Sequence, residues 1–131
     1  MDIRLAPQSS APLYEQIVEQ VKQLVASGRL RPGDPLPTIR ALAQRLLINP
    51  NTVARAYREL EVEGIVHSRV GQGTTVAAGV SPLSLEARQR LLREHVATLV
   101  THAQHLGFHA DEVSTILHEQ FTARAARPTE E

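Results

Sequence analysis

From Thr38 to Gly64 the chain reads TIRALAQRLLINPNTVARAYRELEVEG, and this stretch decides the fold. Thr38 offers a hydroxyl to the free backbone N–H groups at the start of a helix, the task of an N-cap. Behind it Ile39, Leu42, Ala43 and Leu46 recur at the spacing of one helical face, which predicts that they turn inward. Asn49-Pro50 opens a second helix, a polar cap followed by proline at the first helical position, where an N–H would have no partner anyway. Val53, Ala56, Tyr57 and Leu60 line one side of that helix, and Gly64 ends it.

Working outward, an earlier helix is predicted from near Pro12, with Leu13, Ile17, Val21, Leu24 and Val25 on one face and Gly28 at its end. Between the first two helices, Arg31-Pro32-Gly33-Asp34-Pro35-Leu36-Pro37 cannot be helical, because its prolines remove donors and fix φ. Downstream, the β-branched stretches Ile65–Val66 and Thr74–Val76 flank Val70-Gly71-Gln72-Gly73, which predicts a small hairpin. Three helices and a terminal hairpin outline a winged helix-turn-helix over residues 1–77. The small-residue stretch 78–82 is expected to be a linker, and 83–131 to be all helical. The fold class is therefore α+β, mostly α.

On the third helix, Asn51, Thr52, Arg55 and Arg58 fall within an arc of about 120° opposite the apolar side. Two guanidiniums, an amide and a hydroxyl are the groups that pair with base edges and phosphates, although a solvated polar face has the same composition. The hairpin adds Arg69 before its tip and Gln72 and Gly73 within it. A tip of Gly-Gln-Gly has little bulk, so its backbone can approach a groove, and it equally suits a tight turn with no partner.

Bulk charge does not decide between these readings. The formal net charge is zero, whereas nucleic-acid-binding domains are often basic. Residues 1–76 carry nine Lys/Arg against seven Asp/Glu, however, and from Arg29 to Arg69 seven arginines face four acids. With 42% apolar and 21% charged residues the composition is that of a globular chain. No apolar run approaches the roughly 20 residues that span a bilayer, and MDIRLAPQ lacks a secretory layout. The absence of cysteine excludes disulfides, thiolate chemistry and Cys-based zinc sites. A cytoplasmic location, no membrane contact and no cofactor are expected. No nucleophile–base pair, phosphate loop or carboxylate pair points to an enzyme.

The successive stretches PLYEQI, SGRLRPGDPLPTIRALAQRL, NPNTVARAYRELEVEGIV and GQGTTV closely resemble the DNA-binding domain of GntR-family regulators over about residues 12–76. NPNTVARAYREL resembles the YtrA-like branch in particular, whose members carry only a short helical C-terminal segment. The resemblance implies a homodimeric winged helix-turn-helix regulator that binds a two-fold symmetric operator. It further implies repression of its own operon, which in this branch is often associated with transporter genes. Thr38 would replace the usual capping serine, Arg40 would reach DNA at the start of the second helix, Asn51 and Thr52 would match the polar pair of the recognition helix, and Gly73 would match the wing-tip glycine. Two departures matter: Pro50 and Ala54 stand where many members have arginine, so that role shifts to Arg55.

In the C-terminal segment Leu85, Leu92, Val96, Leu99, Ala103 and Leu106 form a near-heptad seam, and Gly107 breaks the helix. A second helix from about Ala110 carries Val113, Ile116, Leu117 and Phe121. Two such helices cannot bury their apolar faces alone. Dimerisation through Leu92, Val96, Leu99, Ala103, Leu106, Val113 and Leu117 is the expected solution, and folding back on the first helix is the alternative. An unidentified small-molecule effector is a possible further partner of this segment. His95, His102 and His105 flank the seam; a polar interface edge is the favoured reading over a metal or a pH response. The rival function for the whole chain is a winged-helix module for protein–protein contact, with the polar arc as its docking face.

Overall fold

The computed structural model describes residues 1–125; residues 126–131, the end of the predicted helical segment, lie outside the described residues. In chain order the elements are α1 (Leu13–Ala26), α2 (Ile39–Leu46), α3 (Pro50–Val62), β1 (Val66–Arg69), β2 (Gly73–Val76), α4 (Leu85–His105) and α5 (Ala110–Ala125). They divide into two units, Met1–Leu83 and Ser84–Glu131.

The first unit is a winged helix. The Thr38 hydroxyl accepts from the Ala41 N–H, and the Asn49 side chain accepts from the Asn51 N–H, so both helices of the helix-turn-helix start on side-chain caps. Between them α2 ends on Leu47, whose φ of 57° puts a non-glycine residue in the left-handed region. That conformation costs about 1–2 kcal/mol. It lets the Ile48 N–H reach the Ala43 carbonyl, closing the turn.

The core is built from Ile17, Val21 and Val25 of α1, Leu42 and Ala43 of α2, Val53, Ala56, Tyr57 and Leu60 of α3, and Val66 and Val76 of the hairpin. Fully burying a side chain such as Leu42 or Leu60 stabilises by about 1.5–3 kcal/mol. Ile39, expected to turn inward, is exposed instead, because the inward arc of so short a helix centres on Leu42 and Ala43. Val18, absent from the expected face of α1, is buried.

The hairpin pairs Val66 with Val76 and Arg69 with Gly73, in antiparallel register. Its first strand runs further toward the tip than its β-branched residues foretell. The proline-rich connection before α2 lies along the other edge of β2. The Leu36 N–H donates to the Thr74 carbonyl at 2.8 Å and the Val76 N–H to the Asp34 carbonyl at 2.9 Å. The Tyr57 hydroxyl then pins this connection to α3 by donating to the Pro37 carbonyl at 2.7 Å. Burial raises the Tyr57 hydroxyl pKa well above the usual phenol range, with Arg45 opposing.

An N-terminal arm completes the unit. Ile3 is buried, and two glutamines of α1 hold the backbone that follows it. The Gln20 amide exchanges two hydrogen bonds with Arg4, accepting from its N–H at 2.8 Å and donating to its carbonyl at 2.7 Å. Gln16 does the same with Ala6. At the other end, residues 78–82, expected as a linker, continue the first unit. Val80 packs against the core, and the Leu83 N–H donates to the Ala26 carbonyl at 2.8 Å.

In the second unit, α4 starts on a Ser84 cap that accepts from the Ala87 N–H, and the turn into α5 contains Gly107 with φ of 83°. Of the expected seam, Leu92, Val96, Leu99, Leu106 and Leu117 are exposed. Ala103 is buried and Val113 half-buried in the single chain.

Candidate nucleic-acid interface

The packing of α3 fixes which side chains it presents. With Val53, Ala56, Tyr57 and Leu60 turned into the core, Asn51, Arg55 and Arg58 are exposed, and Thr52 is half-buried at the edge of the same arc. Arg40 stands exposed in the first turn of α2, beside the Thr38 cap. The Thr38 hydroxyl is engaged by the Ala41 N–H and keeps its own proton to donate.

Charge on this surface is sharply divided. Among the described residues, the guanidiniums of Arg40, Arg55 and Arg58 form no hydrogen bond and no ion pair. Arg55 instead lies over the Tyr14 ring of α1, its guanidinium carbon 3.8 Å from the ring centre. The Tyr14 hydroxyl donates to a Glu15 carboxylate oxygen at 3.2 Å. Desolvation raises its pKa, against the opposing Arg55 charge, so the ring is a neutral phenol facing a cation. Arg45, by contrast, donates from Nη1 to the Met1 carbonyl at 2.9 Å and so ties α2 to the arm.

The acids nearest this surface, Glu59, Glu61 and Glu63, are gathered at the C-terminal end of α3. Glu61 Oε2 accepts from the Ser68 N–H at 2.9 Å, and Glu63 pairs with Lys22 at 2.6 Å. The N-terminal half of α3 has no acid from Pro50 to Arg58. Local charge, rather than net charge, is therefore the relevant quantity for a polyanionic partner.

The wing presents Arg69, Gln72 and Gly73, all exposed. The Gln72 N–H donates to the Arg69 carbonyl at 3.0 Å across the tip. Gly71 and Gly73 have φ of 79° and 74°, and a Cβ on either would meet nothing within 4 Å. Glycine is thus required there by backbone conformation, and the space it leaves open faces solvent. Arg69 Nε donates to His67 Nε2 at 3.1 Å, so this arginine is held along the strand. A groove lined by Glu61, His67, Arg69, Gln72 and Thr75 separates the wing from the end of α3.

The expected residues therefore fall on two elements of the helix-turn-helix and on the wing, all within the first unit. Sequence reasoning missed Tyr14, whose helical spacing from Ile17, Val18 and Val21 marks it as a packing residue and gives no sign of a partner on α3, and His67, which a four-residue strand sets two positions from Arg69. On the second unit His95, His102 and His105 lie on α4, and no group of three or more metal-ligating side chains gathers among the described residues.

Residues 13–76 match the family of bacterial regulatory proteins described as the gntR family. The chain is 38% identical over 111 residues to the HTH-type transcriptional repressor YtrA of Bacillus subtilis (strain 168), covering 85% of each protein. Among solved structures it is similar to YtrA from Sulfolobus acidocaldarius, a GntR-family transcription factor, with 33% identity and a TM-score of 0.56 over 76% of this chain and 97% of that one. It is also similar to the DNA-binding domain of AraR in complex with operator ORX1, with 29% identity and a TM-score of 0.51 over 56% of this chain and 92% of that one.

Proposed function

The chain belongs to the gntR family of bacterial regulatory proteins, and from that premise we propose that it represses its own operon by binding an inverted-repeat operator as a homodimer. In this proposal α3 enters the major groove and the wing tip lies near the minor groove. The observation that carries it is the set of unneutralised guanidiniums, Arg40, Arg55 and Arg58, beside Asn51 and Thr52 on one exposed face. An arginine forks onto guanine or phosphate and an asparagine onto adenine, so this face has the donors a duplex requires. The exposed apolar residues of α4 and α5 support dimerisation, which would set two recognition helices about one helical turn apart. The operon is expected to encode a transporter, and the site of action is the cytoplasm.

Genomic footprinting with the purified protein tests this directly, because the protected sites name both operator and neighbouring genes. Arg40→Ala and Arg55→Ala should each weaken binding to the protected sequence by about 1–3 kcal/mol. Both residues are exposed, so unfolding should shift by less than about 0.5 kcal/mol. Gly73→Glu should also weaken binding, and more than Gln72→Ala does. Protection without sequence preference, or unchanged binding by both arginine variants, would overturn the proposal.

A further inference from the structure

Arg55 is an exposed arginine with no ion pair and no hydrogen bond among the described residues, and such a side chain ordinarily samples many rotamers. Here it is held. Its guanidinium carbon sits 3.8 Å above the centre of the Tyr14 ring, well inside the roughly 6 Å limit for attraction between a cation and an aromatic face. The ring is itself immobilised, because Tyr14 is half-buried and packs against the core of the first unit. A rigid ring on α1 thus fixes the reach of a side chain on α3.

We propose that Tyr14 is a positioning residue for DNA recognition, holding Arg55 pre-organised on the recognition face without reading DNA itself. This rests on the DNA-binding role proposed for α3. A guanidinium against a ring face still has its five N–H donors, which lie in its own plane and match a carboxylate, phosphate or guanine edge. Stacking therefore uses the part of Arg55 that recognition does not need. The same ring covers one side of the cation and keeps water from it when the other side meets the duplex. Tyr14 acts at the cost of a single contact, so its effect should be small, confined to binding and wholly dependent on Arg55.

The test uses the full chain and the duplex that it selects most strongly from a random-sequence library, with binding followed by fluorescence anisotropy. Tyr14→Leu retains an apolar side chain on the core and removes the ring; its affinity should fall about 2- to 5-fold, as expected for an exposed cation–π contact. Tyr14→Phe keeps the ring and should bind within about 2-fold of the unaltered chain. Tyr14→Leu added to Arg55→Ala should cause no further loss, and repeated selection should place the relaxed preference of Tyr14→Leu at the same operator positions as that of Arg55→Ala. A further loss in the Arg55→Ala background would overturn the proposal, as would full affinity of Tyr14→Leu. Thermal unfolding monitors folding of each variant, and Tyr14→Phe decides the matter if Tyr14→Leu unfolds: a ring-bearing variant as weak as Arg55→Ala would also overturn it. Selection of no preferred sequence by the unaltered chain would remove the DNA-binding role itself, a failure visible before any variant is made.

Discussion

The two units treat their apolar residues in opposite ways. In the first, side chains from three helices, the hairpin, the arm and the connection before α2 converge, and among the described residues every buried apolar side chain except Ala103 belongs to it. In the second, α4 and α5 carry a weaker apolar periodicity than α1, and Leu92 is 62% exposed, Leu106 72% and Phe121 70%. The helices that have found their core are the ones whose apolar residues keep to one face, and α4 and α5 spread theirs more widely. The first unit is self-sufficient because its elements come from several directions; two helices in sequence present apolar faces and no third layer. A second copy of the chain would supply that layer.

The largest effect should follow from separating the units. The cut belongs after Leu83, since Val80 and Leu83 are held by the first unit. A chain ending there should fold, sediment as a monomer and lose the 10²–10⁴ in avidity that joining two half-site readers typically adds, about 3–5 kcal/mol. Leu99→Asp should act in the same direction, by placing a charge on the apolar face. Titration on an intact operator and on a single half-site separates the two contributions. A shortened chain that remains dimeric would break the comparison.

Matched truncations on either side should differ in kind. Leu60 is fully buried, and Leu60→Ala should cost the first unit about 2–5 kcal/mol. Leu92→Ala should leave the unfolding of that unit unchanged and instead raise the concentration at which the protein dimerises. Urea denaturation of the first unit, read beside sedimentation across a concentration series, distinguishes these outcomes. Equal loss of stability from both would mean that the second unit is part of the same core.

This contrast also explains what the sequence reveals. Thr38, Asn49-Pro50 and Gly64 mark the helix ends because capping is a local affair, and each lies where its chemistry requires. The arc of Asn51, Thr52, Arg55 and Arg58 follows from helix geometry once Val53 and Leu60 are buried. What remains hidden is non-local. Ile3 belongs to the core on an arm that Gln16 and Gln20 hold, and neither glutamine is exceptional on an amphipathic helix. The contact of Arg55 with Tyr14 joins residues 41 positions apart, beyond any periodicity. Leu47, in the left-handed region and 90% exposed, has neither the residue type nor the pattern that would announce a helix C-cap.

The arm gives an effect of intermediate size. Gln20→Ala removes both hydrogen bonds to Arg4, and each such bond contributes about 0.5–1.5 kcal/mol. The first unit should lose about 1–3 kcal/mol, with faster amide exchange at Arg4 and unchanged dimerisation. Unchanged exchange at Arg4 would mean that buried Ile3, with the Gln16 and Arg45 bonds, secures the arm without Gln20.

The smallest effect should come from the shortest polar contact between helices. Lys22 of α1 and Glu63 at the end of α3 approach to 2.6 Å, a distance that invites a large assignment of energy. Their side chains remain 37% and 44% exposed, however, so water and salt screen the attraction and two long side chains lose rotamer freedom to form it. Glu63→Gln should therefore change the stability of the first unit by no more than about 0.5 kcal/mol, and that difference should shrink as salt is raised. Its comparison with Leu60→Ala is the sharper result. Both positions join α3 to the rest of the unit, and the expected difference of several-fold or more assigns the cohesion of the winged helix to its apolar interior. Urea unfolding of both variants at low and high salt measures it. A loss from Glu63→Gln comparable to that from Leu60→Ala, and insensitive to salt, would locate that cohesion at the surface instead.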